Sequence, residues 1–204
     1  MPSGMIWVTR IECRPKGPAQ NDPQMAIKAT IFKASLQIAD MDRHYYANHA
    51  LTLARHPSET DERMMVRLLA FALYANDMLS FGKGLSSDDE PDLWQKDLTG
   101  AIERWIEIGL PDERAVRKAS SRAEQIVVVS YGRTADIWWS ENRNKLLRLN
   151  NLTVLKLASE TTLALAALAS RTMQLQCTTQ EGHIMVTSDA GMIEVTPQIL
   201  QAQP

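Results

Sequence analysis

The stretch that decides the fold runs from residue 91 to residue 109 and reads PDLWQKDLTGAIERWIEIG. Both halves carry β-branched or aromatic residues in partial alternation, which is typical of strands. Between the halves, Thr99-Gly100 places a glycine where a two-residue turn needs a positive φ. The stretch therefore predicts a β-hairpin.

The position of this turn decides which side chains face each other. A central turn fixes three facing pairs: Trp94 with Trp105, Lys96 with Glu103, and Asp92 with Glu107. Opposed side chains have Cβ atoms about 4.5 to 5.5 Å apart, and like charges there are unfavourable, so a cation between the two acids would stabilise them. If residues 97–100 form a four-residue turn instead, the two acids stay on one face but become diagonal neighbours.

The second strand of the hairpin has a core face and a more polar face. We expect the core face to carry Ile102, Ile106, Ile108 and Leu110. Glu103, Trp105 and Glu107 then project into a half-polar space. Paired carboxylates suit Mg²⁺ or Mn²⁺, which can polarise a phosphoryl oxygen and generate hydroxide. The structural alternative is that Asp92 only starts a strand and Glu107 is an exposed acid, and spacing alone does not separate the two.

Bulk composition excludes several classes of protein. The chain has 204 residues, 45% of them hydrophobic, which is enough for one domain with a sizeable core. It has no run of eighteen apolar residues and no secretory signal, so we expect neither membrane association nor export. A net charge of -2 argues against a broad nucleic-acid surface, so any such contact must be local. Cys13 and Cys177 indicate free thiols in a reducing cytoplasm, and we expect a monomer.

The segments before the hairpin predict an extension, two strands and a helix. Residues 1–24 are rich in proline and predict a poorly ordered N-terminal extension, which leaves 25–204 as a single domain. Residues 27–40 and 45–54 alternate as an antiparallel strand pair. Ser58 is then expected to cap a helix that runs to about residue 76. Its first turn can aim Glu62 at the edge of a sheet.

Charged residues flank the hairpin on both sides. Residues 88–97 hold five acids, which indicate either a solvated loop or an additional metal ligand, Glu90 above all. After the hairpin, Pro111 opens a helix whose basic side carries Arg114, Arg117, Lys118 and Arg122. This side could reach the acidic pair, or it could be a solvated face partly neutralised by pairing between Glu113 and Arg117.

The remaining pattern completes a mixed α/β fold. Residues 126–131, 134–149 and 153–158 read as strand, helix and strand, which implies a parallel pair with a right-handed crossover. A short helix over 159–169 precedes a three-stranded antiparallel meander over 172–196. We predict a central mixed sheet flanked by helices, followed by this meander.

Five strings of sequence carry a family resemblance. They are AIKATIFKA at 26–34, LTLARHPSET at 51–60, DDEP at 88–91, WIEIGLPDER at 105–114 and RTM at 171–173. Through them the chain resembles the YaeQ family of bacterial proteins from about Met25 to the end of the meander. That family resembles a variant of the PD-(D/E)XK nuclease fold, the core of many restriction endonucleases.

The resemblance implies roles for particular residues. Asp92 matches the aspartate of the PD element, and Glu107 matches the acid of the (D/E)XK element. Glu62, or alternatively Glu59, matches the acid that a helix often contributes to such sites. The resemblance thus implies a restriction-endonuclease-like core with a Mg²⁺ or Mn²⁺ site.

One departure from the nuclease pattern matters. Where the pattern has a lysine that orients the attacking water, this sequence has Gly109. Either Lys118 replaces that lysine or the site does not cleave. The first case predicts a metal-dependent phosphodiesterase that acts on nucleic acid, with Arg114 and Arg117 on the nucleic-acid backbone. The second predicts a binding or regulatory protein on a degenerate nuclease scaffold.

Overall fold

A computed structural model describes residues 29–82 and 90–203. Its strands are β1 (Thr30–Asp40), β2 (Tyr45–Arg55), β3 (Leu79–Phe81), β4 (Leu93–Lys96), β5 (Ile102–Ile108), β6 (Ala123–Ser130), β7 (Leu152–Lys156), β8 (Thr172–Gln180), β9 (His183–Ser188), β10 (Gly191–Val195) and β11 (Gln198–Gln201). Its helices are α1 (Asp61–Tyr74), α2 (Glu113–Ser120), α3 (Ala135–Leu146) and α4 (Ser159–Ala167). The predicted extension over 1–24 and the acids at 88 and 89 lie outside the described residues.

The strands form two mixed sheets. The first has the order β10-β9-β8-β1-β2 and the second the order β11-β7-β6-β5-β4-β3. In the second sheet β5, β6 and β7 are parallel, which confirms the predicted parallel pair of β6 and β7. The C-terminal meander is antiparallel as predicted, but β8 also pairs in parallel with β1. The mixed α/β class is confirmed, and the meander belongs to a sheet that it shares with the N-terminal hairpin.

Helix α1 lies in the core that the two sheets share. Its residues 64–72 are all buried, so almost no part of the helix middle meets solvent. The same core cluster holds Leu36 of β1 and Ile106 of β5. A helix that is buried on every side needs an apolar sequence all round, and the run MMVRLLAFA meets this need except at Arg67. None of the helices in the described ranges is long and apolar enough to cross a membrane.

The other face of the second sheet packs on a second core. Trp105, Val116 and Trp138 belong to this cluster, so α2 and α3 cover the face of β5 that we predicted to be half-polar. Trp105 is only 4% exposed. The prediction was wrong at this point because an indole with a hydrogen-bonded N–H can be buried at little cost.

The hairpin of β4 and β5 has the predicted centre but a different tip. Trp94 faces Trp105 as expected, with their rings 6.5 Å apart, edge to face. Lys96, however, faces Ile102 and not Glu103, because the register shifts by one residue beside Lys96. The Asp97 carboxylate accepts the backbone N–H groups of residues 99 and 101, and this favours a longer loop than the two-residue turn.

Helix α1 begins two residues later than predicted. Thr60 is the N-cap, and its Oγ1 accepts the backbone N–H of Arg63 at 3.1 Å. Ser58 instead lies in a preceding turn, where its hydroxyl is 2.6 Å from the His56 Nδ1 atom. The prediction failed because both residues carry a hydroxyl suited to capping, and the sequence alone does not say which one stands at the helix start.

Candidate functional site

The candidate site lies where several chain ends meet at one edge of the second sheet. Glu107 stands near the carboxyl end of β5, and Tyr131 directly follows the parallel strand β6. Asp92 directly precedes β4, and Arg63 comes from the first turn of α1. In open α/β sheets, the carboxyl ends of parallel strands are where ligands usually bind.

Asp92 is a buried carboxylate with three hydrogen bonds. Both of its oxygens accept from the Arg63 guanidinium, at 2.7 and 2.9 Å. The backbone N–H of Ile108 also donates to it, at 2.7 Å. Arg63 Nη2 donates to the Ile108 carbonyl as well, at 3.2 Å. This two-pronged, charge-assisted pair fixes the end of α1 to the ends of β4 and β5.

Glu107 is the second member of the acidic pair. Leu93 pairs with Ile106 in the antiparallel ladder. Asp92 precedes Leu93 and Glu107 follows Ile106, so the two acids lie beside each other. The Glu107 Oε1 atom accepts a hydrogen bond from Trp105 Nε1 at 2.7 Å. Burial raises the pKa of the Glu107 carboxyl to about 7; the Trp105 hydrogen bond opposes this, the Asp92 charge adds to it, and Arg63 opposes it. The neighbouring arginine therefore compensates Asp92 far better than Glu107.

The two candidate helix acids have different partners. Glu59 is 5% exposed and forms a two-pronged ion pair with Arg67, at 3.1 and 3.0 Å. Arg63 Nη1 also lies 3.6 Å from Glu59. Glu62, in contrast, accepts a hydrogen bond from the Thr162 hydroxyl of α4 at 2.6 Å. Glu59 is thus committed to the arginines, whereas Glu62 has a neutral partner.

Tyr131 is a site residue that the sequence analysis missed. Burial raises the pKa of its phenol to about 12, and Arg63, Glu62, Asp92 and Glu59 all act on it electrostatically. Four charged groups therefore act on this hydroxyl, three of them from residues 59–63 at the start of α1 and the fourth from the segment before β4. The phenol stays protonated at neutral pH and can serve as a hydrogen-bond donor.

Arg63 could have been found from its position in the sequence. A positive charge in the first turn of a helix opposes the helix dipole, which favours acids there. An arginine at such a position therefore needs a specific acidic partner. Tyr131 carries no comparable signal, because the sequence places it only at the end of an apolar run.

The backbone explains why glycine occupies the position of the expected lysine. Gly109 has a φ of +107°, a backbone conformation that residues other than glycine rarely adopt. Its N–H donates to the carbonyl of Val129, which holds the chain to β6 as it leaves the sheet. A Cβ at this position would meet no atom within 4 Å, so the obstacle is backbone strain and not lack of space.

The other predicted residues lie on α2 and beside the hairpin. Lys118 and Arg114 are exposed on α2, and the cation on Asp92 is Arg63 instead. Arg117 forms the predicted ion pair with Glu113. Glu90 lies beside the hairpin, where it lines a groove with Trp94. Within 29–82 and 90–203, no three His, Cys, Asp or Glu side chains are grouped to hold a metal ion, so a metal here would rely on two carboxylates and water.

Fold and site together define a two-sheet α/β protein with a carboxylate and arginine cluster at the ends of its parallel strands. The family model described as YaeQ protein matches residues 25–197, and the chain belongs to the YaeQ family. The uncharacterized protein YaeQ of Escherichia coli (strain K12) is 47% identical over 172 residues, which is 84% of this chain and 95% of that protein.

Two solved structures match the whole architecture. The YaeQ protein from Xanthomonas axonopodis pv. citri is 53% identical with a TM-score of 0.83, and the match covers 85% of this chain and 99% of that one. The YaeQ protein from Pseudomonas syringae is 37% identical with a TM-score of 0.82, over 85% of this chain and 97% of that one.

Proposed function

We propose that this protein is a metal-dependent phosphodiesterase acting on nucleic acid, with Asp92 and Glu107 as the ligands of Mg²⁺ or Mn²⁺. The observation that carries the proposal is the position of the half-buried Glu107 carboxyl next to Asp92, beyond the Leu93–Ile106 pair, where burial raises its pKa to about 7. Carboxyl groups that have a strongly shifted pKa and lie beside a second acid are concentrated at functional sites. A divalent cation between the two carboxylates would remove the cost of ionising Glu107.

The donor set fits a hard cation in chemistry and in number. Mg²⁺ prefers oxygen ligands and commonly keeps several waters beside one or two carboxylates. When bound, such an ion polarises a phosphoryl oxygen and supplies hydroxide. Arg63 holds Asp92 in this structure, so its guanidinium must leave at least one carboxylate oxygen before Asp92 can serve as a ligand.

The side chains around the acids have distinct parts in this scheme. Arg63 carries a planar set of donors that matches a phosphate as well as it matches a carboxylate. Once released from Asp92, it would pair with the scissile phosphate. Glu62 is proposed as an assisting acid and Glu90 as a further metal ligand. Lys118 is proposed as the substitute for the missing lysine, with Arg114 and Arg117 on the nucleic-acid backbone.

A thermal shift with metal tests the proposal. We expect Mn²⁺ or Mg²⁺ to raise the Tm of the wild type, because a ligand that binds only the folded state stabilises it. Glu107→Gln should abolish the shift, together with metal-dependent cleavage of single- or double-stranded DNA and RNA. Glu141→Gln, a matched change at an exposed position on α3, should keep both. The proposal is contradicted if metal neither raises the Tm of the wild type nor leads to cleavage of any of these nucleic acids.

A second candidate function is a binding module without catalysis, and the three hydrogen bonds to Asp92 favour it. In this case Arg63 occupies the metal position permanently. Arg63→Gln distinguishes the two functions, because it frees the Asp92 carboxylate without adding charge. If only this variant gains a metal-induced Tm shift, the arginine takes the place of the ion and the second function holds.

A further inference from the structure

An open groove of about 510 Å³ lies along the hairpin, outside the acidic pair itself. Its walls come from the hairpin strands, the hairpin loop and the segments that flank them, and the lining residues are Glu90, Trp94, Gly100, Ala101, Ile102, Trp105 and Arg122. This volume lies in the range of small-molecule sites, which is about 300 to 1,000 Å³. The groove therefore has room for a nucleotide-sized group.

Trp94 is an aromatic wall of this groove. Unlike Trp105, it belongs to neither of the two core clusters, and it is half-buried. It contacts Trp105 edge to face, at 6.5 Å between ring centroids. A large aromatic ring that takes no part in a core and lines an open groove is suited to stacking on a planar ligand.

Lys96 supplies a positive charge at the face of this ring. Its Nζ atom lies 3.3 Å from the centroid of the Trp94 ring. Within the part of the chain that the structure describes, the ammonium has no carboxylate partner at ion-pair distance. The lysine side chain is flexible, so its ammonium can leave the face of the Trp94 ring and still remain beside that ring.

Trp105 connects the groove to the acidic pair. Trp105 lines the groove, and its Nε1 donates to Glu107 at 2.7 Å. Trp105 on β5 therefore lies between Glu107 and a group that is bound on Trp94.

We infer that the groove is a base-binding subsite for single-stranded nucleic acid, in which Trp94 stacks on a base and Lys96 binds an adjacent phosphate. The inference rests on the proposed function, because it assigns a substrate class to the same site. Stacking of a base on an aromatic side chain is stronger than a cation–π contact at an exposed site, so a base can displace the Lys96 ammonium from the ring. The displaced ammonium then becomes available for the phosphate.

Single strands fit this arrangement better than duplexes. The bases of a duplex are stacked on one another, and only an unpaired base can offer its whole face to Trp94. The net charge of -2 agrees with a single-stranded ligand. A few local cations and one stacking ring suffice to bind a single strand, whereas a duplex needs a wide basic surface.

Fluorescence anisotropy with a labelled eight-nucleotide oligothymidylate in EDTA tests the inference without cleavage. We expect Trp94→Ala to weaken binding by about 5- to 150-fold, the range for one lost stacking contact. Trp94→Phe retains a ring and should keep most of the affinity. Trp139→Leu, a matched change of a half-buried tryptophan on α3 away from the groove, should leave binding unchanged.

Salt dependence tests the role of Lys96. Lys96→Gln should reduce the slope of log K against log salt by about 0.7, the value for one phosphate contact on a single strand. Lys33→Gln is the control, because Lys33 is exposed on β1 in the other sheet. A duplex of the same length should bind more weakly than the single strand.

The outcomes separate this inference from the proposed function. Loss of binding in Trp94→Ala supports the subsite even if no metal-dependent cleavage is found. Equal binding by Trp94→Ala and wild type, or no binding by the wild type, overturns the subsite. Metal-dependent cleavage that is insensitive to Trp94 would keep the proposed function and reject the subsite.

Discussion

At the scale of single residues, the ionisation of Glu107 is the most informative property of the site. Its pKa is about 7 in the folded protein, above its ordinary value of 4.5. An acid whose pKa is raised by folding favours folding while it is protonated in both states. Its contribution is therefore complete below pH 4.5 and is lost as the pH rises to about 7.

This predicts that Glu107→Gln flattens the pH dependence of stability. The wild type should lose on the order of 3 kcal/mol of unfolding free energy from this residue between pH 4.5 and 8, since each pKa unit corresponds to about 1.4 kcal/mol. Glutamine keeps an oxygen for the Trp105 hydrogen bond but cannot ionise. Urea unfolding at pH 5 and pH 8 measures both proteins, and parallel losses in the two would contradict the assigned pKa.

Residue-level prediction from the sequence succeeded where a local pattern fixed the geometry. The alternation around Thr99-Gly100 brought Asp92 and Glu107 to neighbouring positions on adjacent strands. Arg63 and Tyr131 were not predicted as site residues, because they reach the site from elements that are distant in sequence. Which distant elements meet depends on how the sheets and α1 pack, and no local pattern states that.

At the scale of elements, the start of α1 determines where Arg63 points. The structure assigns the cap to Thr60, whose hydroxyl satisfies the Arg63 N–H, and not to Ser58. Thr60→Ala should therefore lower the unfolding free energy by about 1 kcal/mol. Ser58→Ala should cost less than half of that, because its hydroxyl bonds to the half-buried His56 ring and not to the helix backbone. Thermal unfolding of both variants checks this, and equal losses would favour Ser58 as a second cap.

The elements themselves were more predictable than their registers. Strand and helix patterns identified the four helices and most of the strands within residues 29–82 and 90–203, since periodicity is a strong signal over ten or more residues. The hairpin register failed near its tip, where the Asp97 side chain competes for backbone N–H groups. The short strands β3 and β11 were missed because three or four residues carry too little alternation to be recognised.

At the scale of the whole molecule, α1 packs in a core that belongs to both sheets. Its buried residues share a core with Leu36 of the first sheet and Ile106 of the second. The sequence predicted one central sheet, because nothing local indicates that β8 pairs in parallel with β1 across more than a hundred residues. Long-range pairing of this kind is decided by tertiary packing.

This architecture predicts that damage to one sheet unfolds the other. Leu36→Ala removes a buried core side chain and should cost about 2 to 5 kcal/mol. Four of the five tryptophans, at 94, 105, 138 and 139, lie in or beside the second sheet, so in a Trp7→Phe background the fluorescence reports on that side. Fluorescence and far-UV circular dichroism should show the same lowered midpoint. Two separated midpoints would show that the sheets unfold independently.

The left-handed backbone at Gly109 closes one route of protein engineering. A lysine cannot simply be introduced at position 109 to match the nuclease pattern, because a residue with a side chain would strain the backbone at the strand end. The replacement charge has to be brought in from a neighbouring element. The arginine at the start of α1 shows that this protein already recruits positive charge in that way.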